Sequence, residues 1–233
     1  MGPYFPFSIK TMSRILGITG SIGAGKSTAA EMLRSLSVPC FDADLAGHDA
    51  LRTAVVKKAL FDLWGESVFH VRGKKDTGTY FRENFTQTNT DDSFWNTVEL
   101  DRGRLAARVF APSAEGEMDK KLLEAITHPV IEQAFRAQMV AVRAGAWGGL
   151  DAALLFESGW NKWCERVVYI DADEALRFER VKARGWTAGE LCRRQSAQMP
   201  IERKKALSDV VIYNNGDKKS LKEQVEALFR SLK

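Results

Sequence analysis

The sequence predicts an α/β fold, a parallel sheet of about five strands flanked by helices. Two observations carry this. Short apolar runs alternate with stretches of helical periodicity along the 233 residues, and strands alternating with helices imply parallel pairing through right-handed crossovers. The first run, Ile15-Leu16-Gly17-Ile18-Thr19, leads through the glycine-rich string Gly20-Ser21-Ile22-Gly23-Ala24-Gly25-Lys26-Ser27 straight into a helix.

Each element follows in order. The run at 15–19 suits a buried strand, and Ala29, Met32, Leu33 and Leu36 then share one helical face. Val38-Pro39-Cys40-Phe41 reads as the second strand and ends in Asp42-Ala43-Asp44, followed by a helical stretch from Leu45 to about Leu63. Gly65 to Leu100 holds glycines, Thr, Asn and the acidic pair Asp91-Asp92, and reads as an irregular insertion. Helical pattern returns from Asp101 to Ala144, with Ile131, Phe135, Met139 and Val142 on one face. Gly149 to Phe156 reads as the third strand and Arg166 to Ile170 as the fourth. A helix follows from Asp173 to Arg184, broken by Gly185, and a charged stretch runs on to Lys205. Asp209 to Tyr213 is the fifth strand, and Leu221, Val225, Leu228, Phe229 and Leu232 line the last helix. Ligands in such sheets bind beyond the carboxyl ends of the strands, which places the glycine string, Asp42, Asp44 and Glu157 at one edge.

The glycine string is a P-loop: Gly, four free positions, Gly, Lys, then Ser or Thr. Gly20, Gly23 and Gly25 permit backbone angles and close approaches that a Cβ would block, so successive N–H groups can form an anion nest. The helix beginning near Lys26 adds the positive end of its dipole. Lys26 can reach outer phosphates, and the Ser27 hydroxyl can coordinate Mg²⁺. An ordinary glycine turn explains the string less well, because strand and helix flank it where phosphate binding needs them.

Composition narrows the class. A net charge of +4 suits a phosphate-rich ligand and is too small to argue for nucleic acid. No apolar run approaches a membrane span. Cys40, Cys164 and Cys192 are far apart and show no metal or redox spacing, which fits reduced thiols in a cytoplasmic protein. His48, His70 and His128 are equally scattered. Residues 1–11 lack a signal-peptide pattern and read as a disordered N-terminal extension ahead of Met12. The sequence does not determine an oligomeric state.

A P-loop does not by itself choose a reaction. A guanine reader of the N-K-x-D type is missing, since Asn161-Lys162-Trp163-Cys164 lacks the Asp. Asp44-Leu45-Ala46-Gly47 fits only the short D-x-x-G switch pattern, and Leu154-Leu155-Phe156-Glu157 lacks the Asp-Glu strand end of an ATPase motor. Several short blocks taken in order do choose. G-I-T-G-S-I-G-A-G-K-S-T at 17–28, F-D-A-D at 41–44, D-R-G-R-L at 101–105, H-P at 128–129, L-L-F-E at 154–157, Arg180 with Arg184, Gln198, and Asp209 with Asn214-Asn215-Gly216 together resemble the dephospho-CoA kinase family over nearly all of 15–232. The chain departs from that pattern at Ala153, where the family often has Pro, at Arg177, where Gln is usual, and in a longer segment between Gly65 and Asp101.

The resemblance implies a P-loop nucleoside-kinase-like sheet with a helical acceptor-binding subdomain at about 45–145 and a lid at about 173–205, in a single domain over 12–233. It implies ATP and Mg²⁺ as cofactors and transfer of phosphate to the ribose 3′-hydroxyl of dephospho-CoA, with no nucleic-acid or membrane partner. Gly20, Ser21, Ile22, Gly23, Ala24, Gly25, Lys26, Ser27 and Thr28 would hold the nucleotide phosphates, Asn214 and Gly216 the adenine side, and Ser27 the metal. Asp44 is the candidate base, although an aspartate just past a strand is also a common helix cap. Asp42, Arg102, His128 and Glu157 would serve the acceptor, with His128-Pro129 equally readable as a helix start. Arg180 and Arg184, one turn apart, would bring charge to the transferred phosphate along with Lys26. Another small-acceptor kinase, or a non-catalytic nucleotide-binding module, would share the P-loop without the other blocks.

Overall fold

The computed structural model describes residues 14–71, 77, 79, 81 and 92–232. The expected extension at 1–11 lies outside them. The chain divides into two compact units, one built from the residues up to Asp44 together with those from Phe135 onward, the other from Leu45–Ala134.

The first unit is built on five parallel strands: β1 (Arg14–Gly20), β2 (Cys40–Asp42), β5 (Trp147–Asp151), β6 (Arg166–Asp171) and β7 (Val210–Tyr213), in the spatial order β2-β5-β1-β6-β7. Burial on both faces explains the near-continuous apolar runs; β1 is buried from Ile15 through Gly20. Helix α1 (Lys26–Ser35) lays Ala29, Ala30, Met32 and Leu33 on the sheet, beside Leu221, Val225 and Leu228 of the final helix, α10 (Lys218–Ser231). Asp217 caps α10 by accepting from Ser220 N at 2.8 Å. Phe135, near the end of the long helix α6 (Ala114–Val140), meets Phe41 edge-on at 5.5 Å and stacks on Trp163 at 5.4 Å.

The segment expected to form a lid holds three helices, α7 (Glu174–Lys182), α8 (Ala188–Ser196) and α9 (Ile201–Ala206). Gly185 adopts φ 85°, and its amide reaches back to Lys182 O at 2.8 Å, closing α7 with a left-handed residue. Thr187 and Glu190 form a capping box that starts α8. Arg194 stacks over Trp186 at 4.2 Å and packs the turn between them.

The second unit holds most of α2 (Ala43–Ala50), then α3 (Ala54–Trp64), the strand pair β3 (Phe69–Val71) and β4 (Val98–Leu100), α4 (Asp92–Thr97), α5 (Arg102–Val109) and the first part of α6. The helical stretch expected from Leu45 is interrupted at Leu51–Thr53, where Thr53 caps α3. The stretch expected from Asp101 breaks around Pro112-Ser113, and Ser113 Oγ accepts from Gly116 N at 3.1 Å. The segment expected to be irregular is more ordered than that where it is described. β3 and β4 pair antiparallel, and Phe61, Phe69, Phe81, Phe94 and Trp95 form a cluster with ring centroids 4.9–6.1 Å apart. Buried Lys57 crosses beneath it and donates to Trp95 O at 2.7 Å and Val98 O at 2.8 Å. Burial lowers its pKa, against a smaller upward pull from Glu99.

The third strand is the main correction. It ends at Asp151, not at Phe156, and Leu154 to Glu157 lie in the turn beyond it. A carboxylate inside an apolar run marks where a strand leaves the core, because a buried charge needs a partner.

Candidate active site

The carboxyl ends of the strands gather the chemistry. β2, β5 and β6 each end in an aspartate, Asp42, Asp151 and Asp171, and β1 ends in the glycine loop. Gly23 and Gly25 take φ 80° and 95°, in the left-handed region that favours glycine. A Cβ on Gly23 would stand 2.7 Å from Arg177 O, so this glycine is required by packing as well as by backbone angle. The N-terminus of α1 has Gly25 as its cap, no side-chain cap bond and no acid in its first turn. The amides of Gly23, Gly25, Lys26 and Ser27 make no hydrogen bond among the described residues, and with the helix dipole they leave an anion-binding end open.

Two residues of the loop are bonded within the protein. Ser21 N donates to Ile170 O at 3.2 Å, because this residue continues the ladder between β1 and β6. Its hydroxyl points down as well, to Tyr169 Oη at 2.7 Å and Asp171 Oδ1 at 3.2 Å. Ala24 N turns back to Ser21 O at 3.0 Å. Ser21 and Ala24 therefore root the loop, while Gly23, Gly25, Lys26 and Ser27 face outward with free amides. Ile22 and Thr28 are half-buried within the loop and the start of α1, and Gly20 abuts the Ile170 carbonyl, where a Cβ would clash.

Lys26 sits between two carboxylates. Its Nζ donates to Asp151 Oδ1 and, at 3.4 Å, to Asp44 Oδ2. Asp151 is 1% exposed and Asp44 51%, so the pair with Asp151 is the buried one. Burial works against the Lys26 ammonium, but Asp151 and Asp44 outweigh it and its pKa is raised. The Asp151 carboxyl is raised above the usual carboxylate range, by burial first and then by neighbouring Asp42 and Asp44, against the pull of Lys26. The single Lys26 ammonium is shared by Asp151 and Asp44, and Asp42 adds negative charge beside Asp151, an excess that suits a divalent cation; among the described residues no three His, Cys, Asp or Glu side chains converge as a metal-ligand group. Ser27, exposed in the first turn of α1, has a neutral hydroxyl oxygen at the open end of the loop. Asp151 is the residue that sequence reasoning missed. The signal was present: an aspartate directly after the buried run Trp147 to Leu150.

Asp44 lies in the first turn of α2, one residue inside the helix, where its charge favours the dipole. Asp42 closes β2 opposite Asp151. Arg180, in α7, and Arg184, just after it, are separated by their surroundings. Arg180 donates to Asn214 O at 2.9 Å and to Gly23 O and Ala24 O, each at 3.4 Å, and so clamps the loop from behind. Arg184 is exposed, and its guanidinium makes no hydrogen bond or ion pair among the described residues. Buried Asn214 donates from Nδ2 to Ala24 O at 2.7 Å, which makes it a second clamp, and Gly216 is exposed beyond it. Glu157, expected on the acceptor side, accepts at Oε1 from Met199 N and Lys204 Nζ, both at 2.8 Å, and so ties the turn after β5 to α9 and the residues before it.

In the second unit, Asp101 caps α5 by accepting from Gly103 N and Arg104 N at 3.0 Å, and leaves Arg102 exposed at the first helical position. His128 and Pro129 lie inside α6 rather than at a helix start, and His128 is half-buried.

A parallel sheet in this order, a glycine loop with open amides, and a lysine among strand-end carboxylates define a P-loop phosphotransferase. The family model for dephospho-CoA kinase matches residues 14–89 and 78–220. The chain belongs to that family. A dephospho-CoA kinase of Geobacillus kaustophilus is 33% identical over 222 residues, 94% of this chain and 96% of the relative. One from Deinococcus radiodurans is 34% identical over 232 residues, 97% and 95% of the two chains. The crystal structure of TT1252 from Thermus thermophilus superposes with a TM-score of 0.73 at 30% identity, covering 95% of this chain and 99% of that one.

Proposed function

We propose that this chain phosphorylates the ribose 3′-hydroxyl of dephospho-CoA with ATP, giving CoA and ADP in the last step of coenzyme A synthesis. Family membership supports the choice of acceptor. The observation that supports the chemistry is Lys26 held between Asp151 and Asp44 at the mouth of the glycine loop.

The free amides of Gly23, Gly25, Lys26 and Ser27 receive the nucleotide phosphates. Lys26 leaves Asp44 for the outer phosphates, exchanging a weak half-exposed pair for a stronger charge. The released Asp44 carboxylate accepts the hydroxyl proton as the ribose oxygen attacks. Mg²⁺, held by Ser27 and Asp151, would neutralise charge on the phosphates when bound. Arg184, the uncommitted lid arginine, adds charge to the transferred group on closure, while Arg180 and Asn214 keep the loop in shape. Asp42, Arg102 and His128 contribute to acceptor binding, a reading that rests on the family blocks they belong to. No described helix is long and apolar enough to cross a membrane. The three free cysteines fit a cytoplasmic location, where thiols stay reduced.

Acceptor choice tests this. ADP release with Mg²⁺ and ATP should require dephospho-CoA, at about 1–100 s⁻¹, and should be far slower with nucleoside monophosphates or shikimate. Equal rates with a nucleoside monophosphate would overturn the assignment.

A further inference from the structure

Beneath the glycine loop lies a buried polar chain that the phosphoryl-transfer chemistry does not use. We propose that Lys205 is a positioning residue for the loop, acting through Asp171 and Ser21, so that the exit helix of the lid segment sets the shape of the phosphate site. The proposal rests on the reading that the loop binds ATP phosphates.

The links are continuous. Lys205 Nζ, on α9, meets Asp171 Oδ2 at 2.6 Å. Asp171 Oδ1 accepts from Ser21 Oγ at 3.2 Å, and Ser21 Oγ also pairs with Tyr169 Oη at 2.7 Å. Ser21 O in turn accepts from Ala24 N at 3.0 Å and closes the turn that carries Gly23. Ser21 and Asp171 are each 7% exposed and Tyr169 is fully buried, so water has little access to substitute for a lost partner.

Charge balance makes Lys205 the sensitive member. The neighbouring buried cation, Arg177, is committed elsewhere: Nε donates to Ala172 O at 3.1 Å and Nη1 to Gln195 Oε1 at 2.7 Å. Lys205 has a second, exposed partner in Glu202 at 3.3 Å, but among the described residues it is the only cation on Asp171 Oδ2. The hydrogen bond to Asp171 holds the Lys205 pKa above its ordinary value. Without that ammonium, Asp171 keeps a buried charge with one oxygen unpaired. The carboxylate then turns toward another donor, and that change alters its bond to Ser21. Ser21 carries the disturbance to Ala24 and the glycine turn, while the acceptor side is untouched.

The test uses the full chain with Lys205→Met and Lys205→Arg, measuring the ATP dissociation constant by calorimetry, KM for each substrate, kcat and Tm. Lys205→Met should weaken ATP binding about tenfold, as expected for losing one charge-assisted hydrogen bond, with KM for dephospho-CoA unchanged. Lys205→Arg should restore ATP binding to within about threefold of wild type by keeping the charge and donors. ATP binding unmoved in Lys205→Met would overturn the proposal. So would a fall in Tm and active fraction with KM for ATP unchanged, because that is what a purely structural role produces. Should Lys205→Met fail to fold, Tyr169→Phe decides: it removes one hydroxyl from the same chain and should weaken ATP binding by about threefold, and unchanged binding would refute the proposal. Calorimetry does not depend on the acceptor, so failure of the dephospho-CoA assignment is read separately, as absent turnover in the wild type with ATP binding intact.

Discussion

Replacing Asp151 by Asn should abolish most activity without loss of stability, although Asp151 is 1% exposed and ion-paired. Breaking a buried pair usually costs about 3–5 kcal/mol because it strands a charge. Here the charge is not stranded. Lys26 keeps Asp44 at 3.4 Å, worth ~0.2–1 kcal/mol for a half-exposed partner, and the Asn oxygen still accepts from Nζ. The change also removes one of the two carboxylates that share a single ammonium. The raised Asp151 pKa has the same sense: in the fold, the ionised form is disfavoured relative to the neutral form that Asn imitates. A raised carboxyl contributes stability below its unfolded value and loses it as pH rises through the folded value, so at neutral pH the Asp151 charge costs stability, whereas the raised Lys26 pKa means that its ammonium contributes stability at the same pH; the two oppose each other. The sum lies within about 1 kcal/mol of zero, or roughly 4 °C in Tm for a chain of this size. Turnover should nevertheless fall at least ~10²-fold, because Asp151 would hold the Mg²⁺ that neutralises the phosphates, and Asn is a weaker, uncharged ligand. ADP release with dephospho-CoA and a ligand-free thermal melt measure the two effects. Turnover within about threefold of wild type would refute the role. A Tm drop beyond ~10 °C, the size expected for a stranded charge, would refute the charge accounting.

Two further substitutions sort the remaining roles. Asp44→Asn should lower turnover by roughly 10²–10⁴-fold with ATP affinity nearly unchanged, whereas a purely helix-stabilising Asp44 would leave turnover within a few-fold. Arg184→Ala should lower kcat by at least ~10²-fold with little change in Tm, while Arg180→Ala should lower Tm and weaken ATP binding, since it releases Gly23, Ala24 and Asn214; the opposite pattern would exchange the two assignments.

The sheet was legible because buried parallel strands are apolar on both faces, and β1, β6 and β7 lie within a residue of where their runs place them. The third strand was misjudged because Ala152 to Phe156 stay apolar after the chain has left the sheet, packing in the turn with Leu155 fully buried. The longer run hides Asp151 as a strand end and puts Glu157 at a strand end, whereas Glu157 lies in the turn beyond β5 and bonds Met199 N and Lys204 Nζ. Order in the 65–100 region was hidden for another reason. Phe69, Phe81, Phe94 and Trp95 are spaced irregularly among polar residues, so no periodicity marks them, and their convergence is a tertiary event.

The glycine loop shows how a motif can be right while its members divide the labour. Reading G-x-x-x-x-G-K-S from sequence assigns every residue to the ligand. In the structure, each atom that faces the sheet or the lid is already bonded: Ser21 to Ile170, Tyr169 and Asp171, and the carbonyls of Gly23 and Ala24 to Arg180 and Asn214. What faces outward is a set of unpaired amides and one lysine on loan to two aspartates. A loop with these φ values has little rigidity of its own, since glycine restricts it least. Its shape is imposed from behind by side chains of β6, α7 and the residue after β7. Substitutions in that supporting set, at positions that never touch ATP, should therefore act on ATP affinity first and on the chemical step second, whereas Lys26, Asp44 and Asp151 should act in the reverse order.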